Sequence, residues 1–356
     1  MKTVKSTAMA MLLMLSLIPF SNAQIQPLTV RTRTSIISYL KSVIANNSII
    51  VGQQKAVDGD APQHTVESLR LQTGNAPALI GYEYGWNSHN RVDRVNLDVM
   101  KQWNSGGLVT ISWHADNPFT PGYSPRWNSV AHKDSIDLKA LLKNAPDSYA
   151  KSSYRKELEK VGNALLDLKN KGVVVLWRPF HEMNGSWFWW GINDLKNPTN
   201  QADYIALWVD MYNYFTNDLK LNNLIWVYSP NDSPDENTLS YRYPGSQYVD
   251  VVGIDIYSNN ISEFKDYNKL LKFNKPIAIC EVGPKSDAYG KMNELDIINT
   301  FKGKAAYFLQ WSSWVNARVS IVDNMFSKEM MQNKDAVTLE KLMKKKQTYK
   351  SNRVKQ

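Results

Sequence analysis

The sequence is poor in the residues on which several large protein classes depend. Cys280 is the single cysteine in 356 residues, so no internal disulfide can form and stability has to come from a packed core. It follows the apolar Ile277-Ala278-Ile279, which marks it as a buried, inert thiol rather than a nucleophile. Only five histidines occur. With no H-E-x-x-H pair or clustered Cys/His set among them, neither a zinc hydrolase nor a metal site is expected. A G-x-S-x-G elbow and a G-x-x-x-x-G-K-[ST] loop are also missing, which removes the serine nucleophile of the α/β-hydrolases and the phosphate-cradling loop. No cofactor is expected. Beyond the N-terminus no run approaches the roughly 20 apolar residues that cross a bilayer.

The N-terminus is a case apart. Lys2 and Lys5 give a basic start, Ala8 to Phe20 is apolar, and Ser21-Asn22-Ala23 supplies a small-x-small cleavage site. Residues 1–23 therefore read as a secretory signal peptide, with export to a periplasm or the medium. No cysteine follows the apolar run, so no lipid anchor is expected. The net charge of +9 raises the question of an acidic partner. Much of the excess, however, sits in Lys341, Lys344 to Lys346, Lys350, Arg353 and Lys355. Without an accompanying nucleic-acid-binding motif, residues 348–356 read as a solvated basic tail, and no nucleic acid is expected as a partner.

Between these ends, apolar runs alternate with amphipathic segments. Strands are predicted at Ser48 to Val51, Ala78 to Glu83, Leu108 to Trp113, Val173 to Trp177, Asn223 to Tyr228, Val249 to Ile256, Pro276 to Cys280 and Ala305 to Leu309. Helices are predicted at Thr34 to Ala45, Arg94 to Trp103, Tyr154 to Asn170, Ala202 to Leu219, Ile261 to Phe273, Asp296 to Phe301 and Ala336 to Lys345. The polar stretch Asn117 to Pro146 reads as an excursion near the site. No repeat or linker divides the chain, so residues 24–347 are expected to form one α/β domain, a (β/α)8 TIM barrel. In such barrels the reactive groups sit at the C-terminal ends of the strands. The polar and aromatic residues fall at those ends: Glu83, Trp113-His114, His181-Glu182, Asn231-Asp232, Tyr257, Glu281 and Trp311.

The densest of these ends is Val173 to Gly191. A buried apolar run breaks at Arg178-Pro179 and delivers His181-Glu182 into a loop with Trp187, Trp189 and Trp190. A strand that ends in a carboxylate beside aromatics reads as a sugar-cleaving site; the alternative is a solvated Glu over a tryptophan core. Cleaving a glycosidic bond takes two carboxyl groups. Strand ends four and seven supply them, Glu182 and Glu281, across the barrel mouth. Burial raises a carboxyl pKa, which suits an acid, whereas donors keep a nucleophile ionised; His181 and Tyr257 are available as donors.

The segments Trp177-Arg178-Pro179-Phe180-His181-Glu182 and Gly185-Ser186-Trp187-Phe188-Trp189-Trp190-Gly191 resemble the signature of the family-26 glycoside hydrolases. The resemblance extends over nearly the whole chain after residue 23. It implies an endo-β-1,4-mannanase acting on mannan, galactomannan or glucomannan by a retaining double displacement, with Glu182 as acid/base and Glu281 as nucleophile. It further implies that Tyr257 hydrogen-bonds the nucleophile and that His114, His181, Trp187 and Trp311 surround the reactive sugar. Arg178 would buttress a catalytic carboxylate, and Asp232 and Glu83 are weaker matches. A monomer is expected.

In one respect the sequence departs from that pattern. Where some family members have Arg directly after the strand-eight tryptophan, this sequence has Ser312, which leaves recognition beyond the reactive sugar open. Also open are action on β-1,3/1,4-glucan or β-1,3-xylan, attack near chain ends, and a non-catalytic glycan-binding role. Trp177 and Trp226, within strands, read as core; Trp189, Trp190 and Trp314 could serve either purpose. His64, His89 and His132 read as surface or local hydrogen-bonding residues, and Glu83 as either a site residue or a simple ion pair.

Overall fold

The computed structural model describes residues 28, 31–55, 66–85, 91–120, 136–191, 201–233 and 238–343. The leader at 1–23, the tail at 348–356, His64, His89 and His132 lie outside these. Eight parallel strands form the interior: β1 (Ile49–Gln54), β2 (Leu79–Glu83), β3 (Leu108–Trp113), β4 (Val175–Pro179), β5 (Leu224–Tyr228), β6 (Val251–Tyr257), β7 (Ile277–Gly283) and β8 (Tyr307–Gln310). Each pairs in parallel with the next, and β1 pairs with both β8 and β2, so the sheet closes on itself. This is a (β/α)8 TIM barrel. The first five strands, β7 and β8 are buried at every position, as unbroken apolar runs covered on both faces should be.

The outer layer comprises α1 (Arg33–Ala45), α2 (Val66–Thr73), α3 (Val92–Asn104), α4 (Tyr149–Asn170), α5 (Gln201–Asn213), α6 (Tyr267–Leu271), α7 (Glu294–Phe301) and α8 (Ser327–Gln332). Helix α4 shows how local chemistry sets up the site. Ser148 caps its N-terminus by accepting from the Lys151 N–H at 3.1 Å, which satisfies one otherwise orphaned donor. At the other end Gly172, at φ 74°, lets the Gly172 N–H reach the Lys169 carbonyl and the Val173 N–H reach that of Leu168. This left-handed glycine stop ends the helix and points the chain straight into β4.

Several boundaries differ from expectation. Ala336–Val337 is a short strand, β9, which pairs with Ile49–Ile50 where β1 and β2 have not yet met, and only then does a last helical turn begin. Two apolar residues in a gap of the barrel gain more from ladder bonds than from extending a helix. The segment Ile261 to Phe273 is helical only over α6, and the helix after Gln201 widens into a π-turn at Tyr214–Asp218. Helices α2 and α8 escaped sequence analysis. Among the residues of α2 only Leu69 and Thr73 are buried, so the periodic signal is weak. Of the expected excursion, residues 121–135 lie outside the described residues, Phe119 meets the ring of Trp189 in the loop after β4 at 6.2 Å, and Leu138–Leu141 packs on α4 and α5. Leu138 and Leu141 are buried there, and the Lys143 N–H bonds Asp210.

Candidate active site

Strand β4 does not end as a regular strand. Phe180 and Glu182, on either side of His181, both have positive φ, 46° and 52°. A non-glycine residue in the left-handed region costs roughly 1–2 kcal/mol, so something must hold each one. Tyr204 Oη donates to the Phe180 carbonyl at 2.8 Å, Trp190 Nε1 to that of His181 at 2.7 Å, and the Glu182 N–H reaches the Ser229 carbonyl at 2.8 Å. Arg242 then ties the Met183 and Trp190 carbonyls together at 2.9 Å each. The distortion breaks strand alternation. Phe180 turns out into a cluster with Trp113, Trp189 and Trp190, while Arg178, His181 and Glu182 all reach the same centre.

The second carboxylate arrives through a different irregularity. Ile254 pairs with Ile279, but Asp255 pairs with Glu281, leaving Cys280 as an extra residue on β7. This bulge sets Asp255 and Glu281 side by side. Gly253 leaves room for it, since a Cβ there would lie 2.2 Å from Cys280 Sγ. One oxygen from each of Glu182, Asp255 and Glu281 lies within 4.8 Å of the others.

Charge is distributed unequally over these three acids. Arg178, itself buried, donates to Asp255 Oδ2 at 2.8 Å and to Glu281 Oε1. Tyr257 Oη donates to Glu281 Oε2 at 2.7 Å, and burial followed by the Glu281 charge pushes that phenol up, so it stays a donor. Among the described residues no cation forms an ion pair with Glu182, whereas Arg178 pairs with both Asp255 and Glu281. Its hydrogen-bond partner among the described side chains is Trp187 Nε1, at 2.6 Å. Burial, then repulsion from Glu281 and Asp255, pushes the Glu182 carboxyl well above the usual range. Burial also pushes Asp255 up, against the pull of Arg178 and Ser229.

Glu83 is a buried anchor. It accepts from Ser112 Oγ (2.6 Å), the Gly85 and His114 N–H groups (2.6 and 2.8 Å) and His114 Nδ1 (2.7 Å). Burial alone would raise its carboxyl, but His114 and these donors hold it below the usual range. His114 Nε2 lies 2.9 Å from His181 Nε2. With His114 Nδ1–H given to Glu83, the network assigns the shared proton to His181, and burial beside Arg178 keeps His181 neutral. His181 Nε2 is 3.8 Å from Glu281, too far for a hydrogen bond. The donors on Glu281 are thus Tyr257 and Arg178 rather than Tyr257 and His181.

The remaining residues divide. Trp311 is buried in a small cluster with Ala317, Val319, Tyr257 and Tyr289, and its ring meets His114 at 6.0 Å. Trp187 touches the acid. Trp189 and Trp190 are core, as are Trp177 and Trp226. Asp232 stands apart on the rim, where burial and Asp266 raise it while Lys285 and Lys265 oppose. Asp255 was missed, although an Asp inside the apolar run Val251 to Ile256 was itself a signal, since a buried acid requires a partner. Among the described residues two sets have metal-ligand spacing, His114/His181/Glu281 and Glu182/Asp255/Glu281. In the second, Arg178 already supplies the positive charge; in the first, the two rings are bonded to each other.

A parallel barrel whose mouth pairs a cation-held carboxylate with an aromatic-held, proton-retaining one is the framework of a glycoside hydrolase. The chain belongs to glycosyl hydrolase family 26, whose sequence profile matches residues 25–336. It is 36% identical over 273 residues to the mannan endo-1,4-beta-mannosidase of Bacillus subtilis strain 168, covering 71% of each chain. It is 34% identical over 296 residues to mannan endo-1,4-beta-mannosidase A and B of Caldalkalibacillus mannanilyticus, covering 79% of this chain and 56% of that relative. The chain thus spans little more than half the length of the latter. The structure of Bacillus subtilis mannanase man26 superposes with a TM-score of 0.73 at 29% identity, covering 88% of this chain and 95% of that one.

Proposed function

We propose that this family-26 hydrolase is an endo-β-1,4-mannanase that cleaves mannan, galactomannan or glucomannan with retention of configuration. The observation that carries the mechanism is the close approach of Glu182 and Glu281, with oxygens within 4.8 Å, in opposite surroundings. Retaining enzymes hold their carboxyls about 5–5.5 Å apart, whereas inverting ones need about 6.5–9.5 Å to admit a water. Glu182 donates its proton to the glycosidic oxygen as the bond to the anomeric carbon breaks. Glu281, oriented by Arg178 and Tyr257, forms the new bond to that carbon. Glu182, now ionised, takes a proton from water, which attacks the same carbon and releases Glu281. His114, His181, Trp187 and Trp311 surround the sugar.

The substrate reading rests on the mannan endo-1,4-beta-mannosidases among the relatives. The leader-like residues 1–23 fit an enzyme that acts on a polymer outside the cytoplasm. The deciding experiment follows the sugars released from linear β-1,4-mannan, together with the anomer formed first, by nuclear magnetic resonance. An early spread of oligosaccharides in the β form is expected. One dominant short product would mean chain-end attack, an initial α form would mean inversion, and release only from mixed-linkage glucan or xylan would move the substrate.

A further inference from the structure

The aromatic surface of the mouth does not stop at the reactive sugar. Beyond Trp311 the chain makes a tight hairpin. The Trp314 N–H reaches the Ala317 carbonyl at 3.1 Å and the Ala317 N–H returns to Trp314 at 3.0 Å. Val315 and Asn316 form the turn, with Asn316 in the left-handed region at φ 67°. A buried polar knot braces the hairpin from behind. Ser313 Oγ accepts from the N–H groups of Val319 and Ser320 at 2.8 Å and donates to Asp323 at 2.5 Å, while the Ser313 N–H bonds Ser320 Oγ at 2.7 Å.

On this rigid support Trp314 is left 38% exposed. Its ring meets Tyr289, from the loop after β7, at 5.8 Å and 78°. That edge-to-face contact props the indole, whose remaining surface is partly open to solvent. Tyr289 also packs on the cluster of Trp311, Ala317 and Val319 that includes Tyr257, whose hydroxyl bonds Glu281. The surface is therefore continuous from the nucleophile out to Trp314. By contrast Ser312 is 1% exposed and cannot reach a bound chain.

We propose that Trp314, propped by Tyr289, is a carbohydrate-stacking subsite for the sugar next beyond the reactive one on the non-reducing side. A pyranose offers a face of weakly positive C–H groups, which the negative π-face of indole attracts. The ring is already held, so little freedom is lost on binding. The side follows from Glu182. The acid must touch the glycosidic oxygen, so the leaving portion lies toward β4, and β8 stands half the barrel away, under the retained portion.

This inference rests on the reading of the mouth as a polysaccharide hydrolase site. Its test compares Trp314→Ala, Trp314→Phe and the distant exposed Tyr149→Ala on manno-oligosaccharides of three to six units, scoring kcat/KM and which bond is cut. For Trp314→Ala a loss of about tenfold or more is expected on chains that place two or more sugars on the retained side. Cleavage should shift toward products retaining fewer sugars there, with Trp314→Phe close to wild type and Tyr149→Ala unchanged. An equal loss at every length with an unchanged cleavage pattern, or no loss, would overturn the subsite. If the wild type cuts no mannan, the mannanase reading fails, and the same comparison on whichever β-glycan it does cut still decides the role of Trp314.

Discussion

The ends of β4 and β7 each present a buried glutamate to the same cavity, and their difference divides the chemical work. Glu281 lies within β7, a strand without left-handed residues, and is received by Arg178 and Tyr257. Glu182 sits on backbone with positive φ, faces Trp187, and has no ion-pair partner among the described residues. In the proposed mechanism the same side chain serves as nucleophile in one place and as acid in the other because one neighbourhood stabilises charge and the other penalises it. The strained backbone lies at Glu182, where Tyr204, Trp190 and Arg242 bond the carbonyls of the turn that carries it.

This asymmetry can be broken most completely at the carboxylates. Glu281→Ala is expected to abolish turnover of every substrate. Glu182→Ala should spare aryl glycosides whose leaving group needs no proton, while losing about 10²–10⁴-fold on natural linkages. Equal losses on activated substrates would show that the roles are misassigned. Next in size is Arg178→Met, which leaves Asp255 and Glu281 buried without their cation. A loss of about 3–5 kcal/mol in stability is expected, read as a lower melting temperature together with lost activity. An unchanged melting temperature would mean that Asp255 and Glu281 do not depend on Arg178.

Tyr257→Phe removes one donor from a charged acceptor, worth about 1.5–3 kcal/mol. Activity should fall roughly 10- to 100-fold with the fold intact, by circular dichroism and kcat/KM. The smallest change sharpens the acid side. The Trp187 hydrogen bond lowers Glu182 against the larger upward push of burial. Trp187→Phe should therefore raise that carboxyl further and move the alkaline limb of kcat/KM to higher pH. A limb that moved to lower pH would remove Glu182 as the titrating acid.

Much of this was legible beforehand because buried parallel strands write themselves as unbroken apolar runs. Those runs located all eight barrel strands to within a few residues, and with them the positions of Glu182, Glu281, His114, Tyr257 and Trp311 at the mouth. What escaped was short or dependent on an irregularity. Strand β9 and helix α2 bury too few residues to leave a period. Trp189 and Trp190 could not be assigned because only the turn at Phe180 sends that side of the loop into the core. Glu83 read as either site or ion pair; its carboxylate holds His114, which in turn meets His181.

The sequence by itself determined the barrel, the strand ends at which reactive groups could stand, and the two glutamates among them. It did so because hydrophobic period and strand phase are local properties. Only the tertiary structure decided that Asp255 joins Glu281, that Arg178 serves both, that Glu182 has no ion-pair partner among the described residues, and that Trp314 stands exposed on a braced hairpin. Each of these depends on a bulge, a left-handed residue or a contact across the mouth, and the energy of such features comes from neighbours distant in the chain.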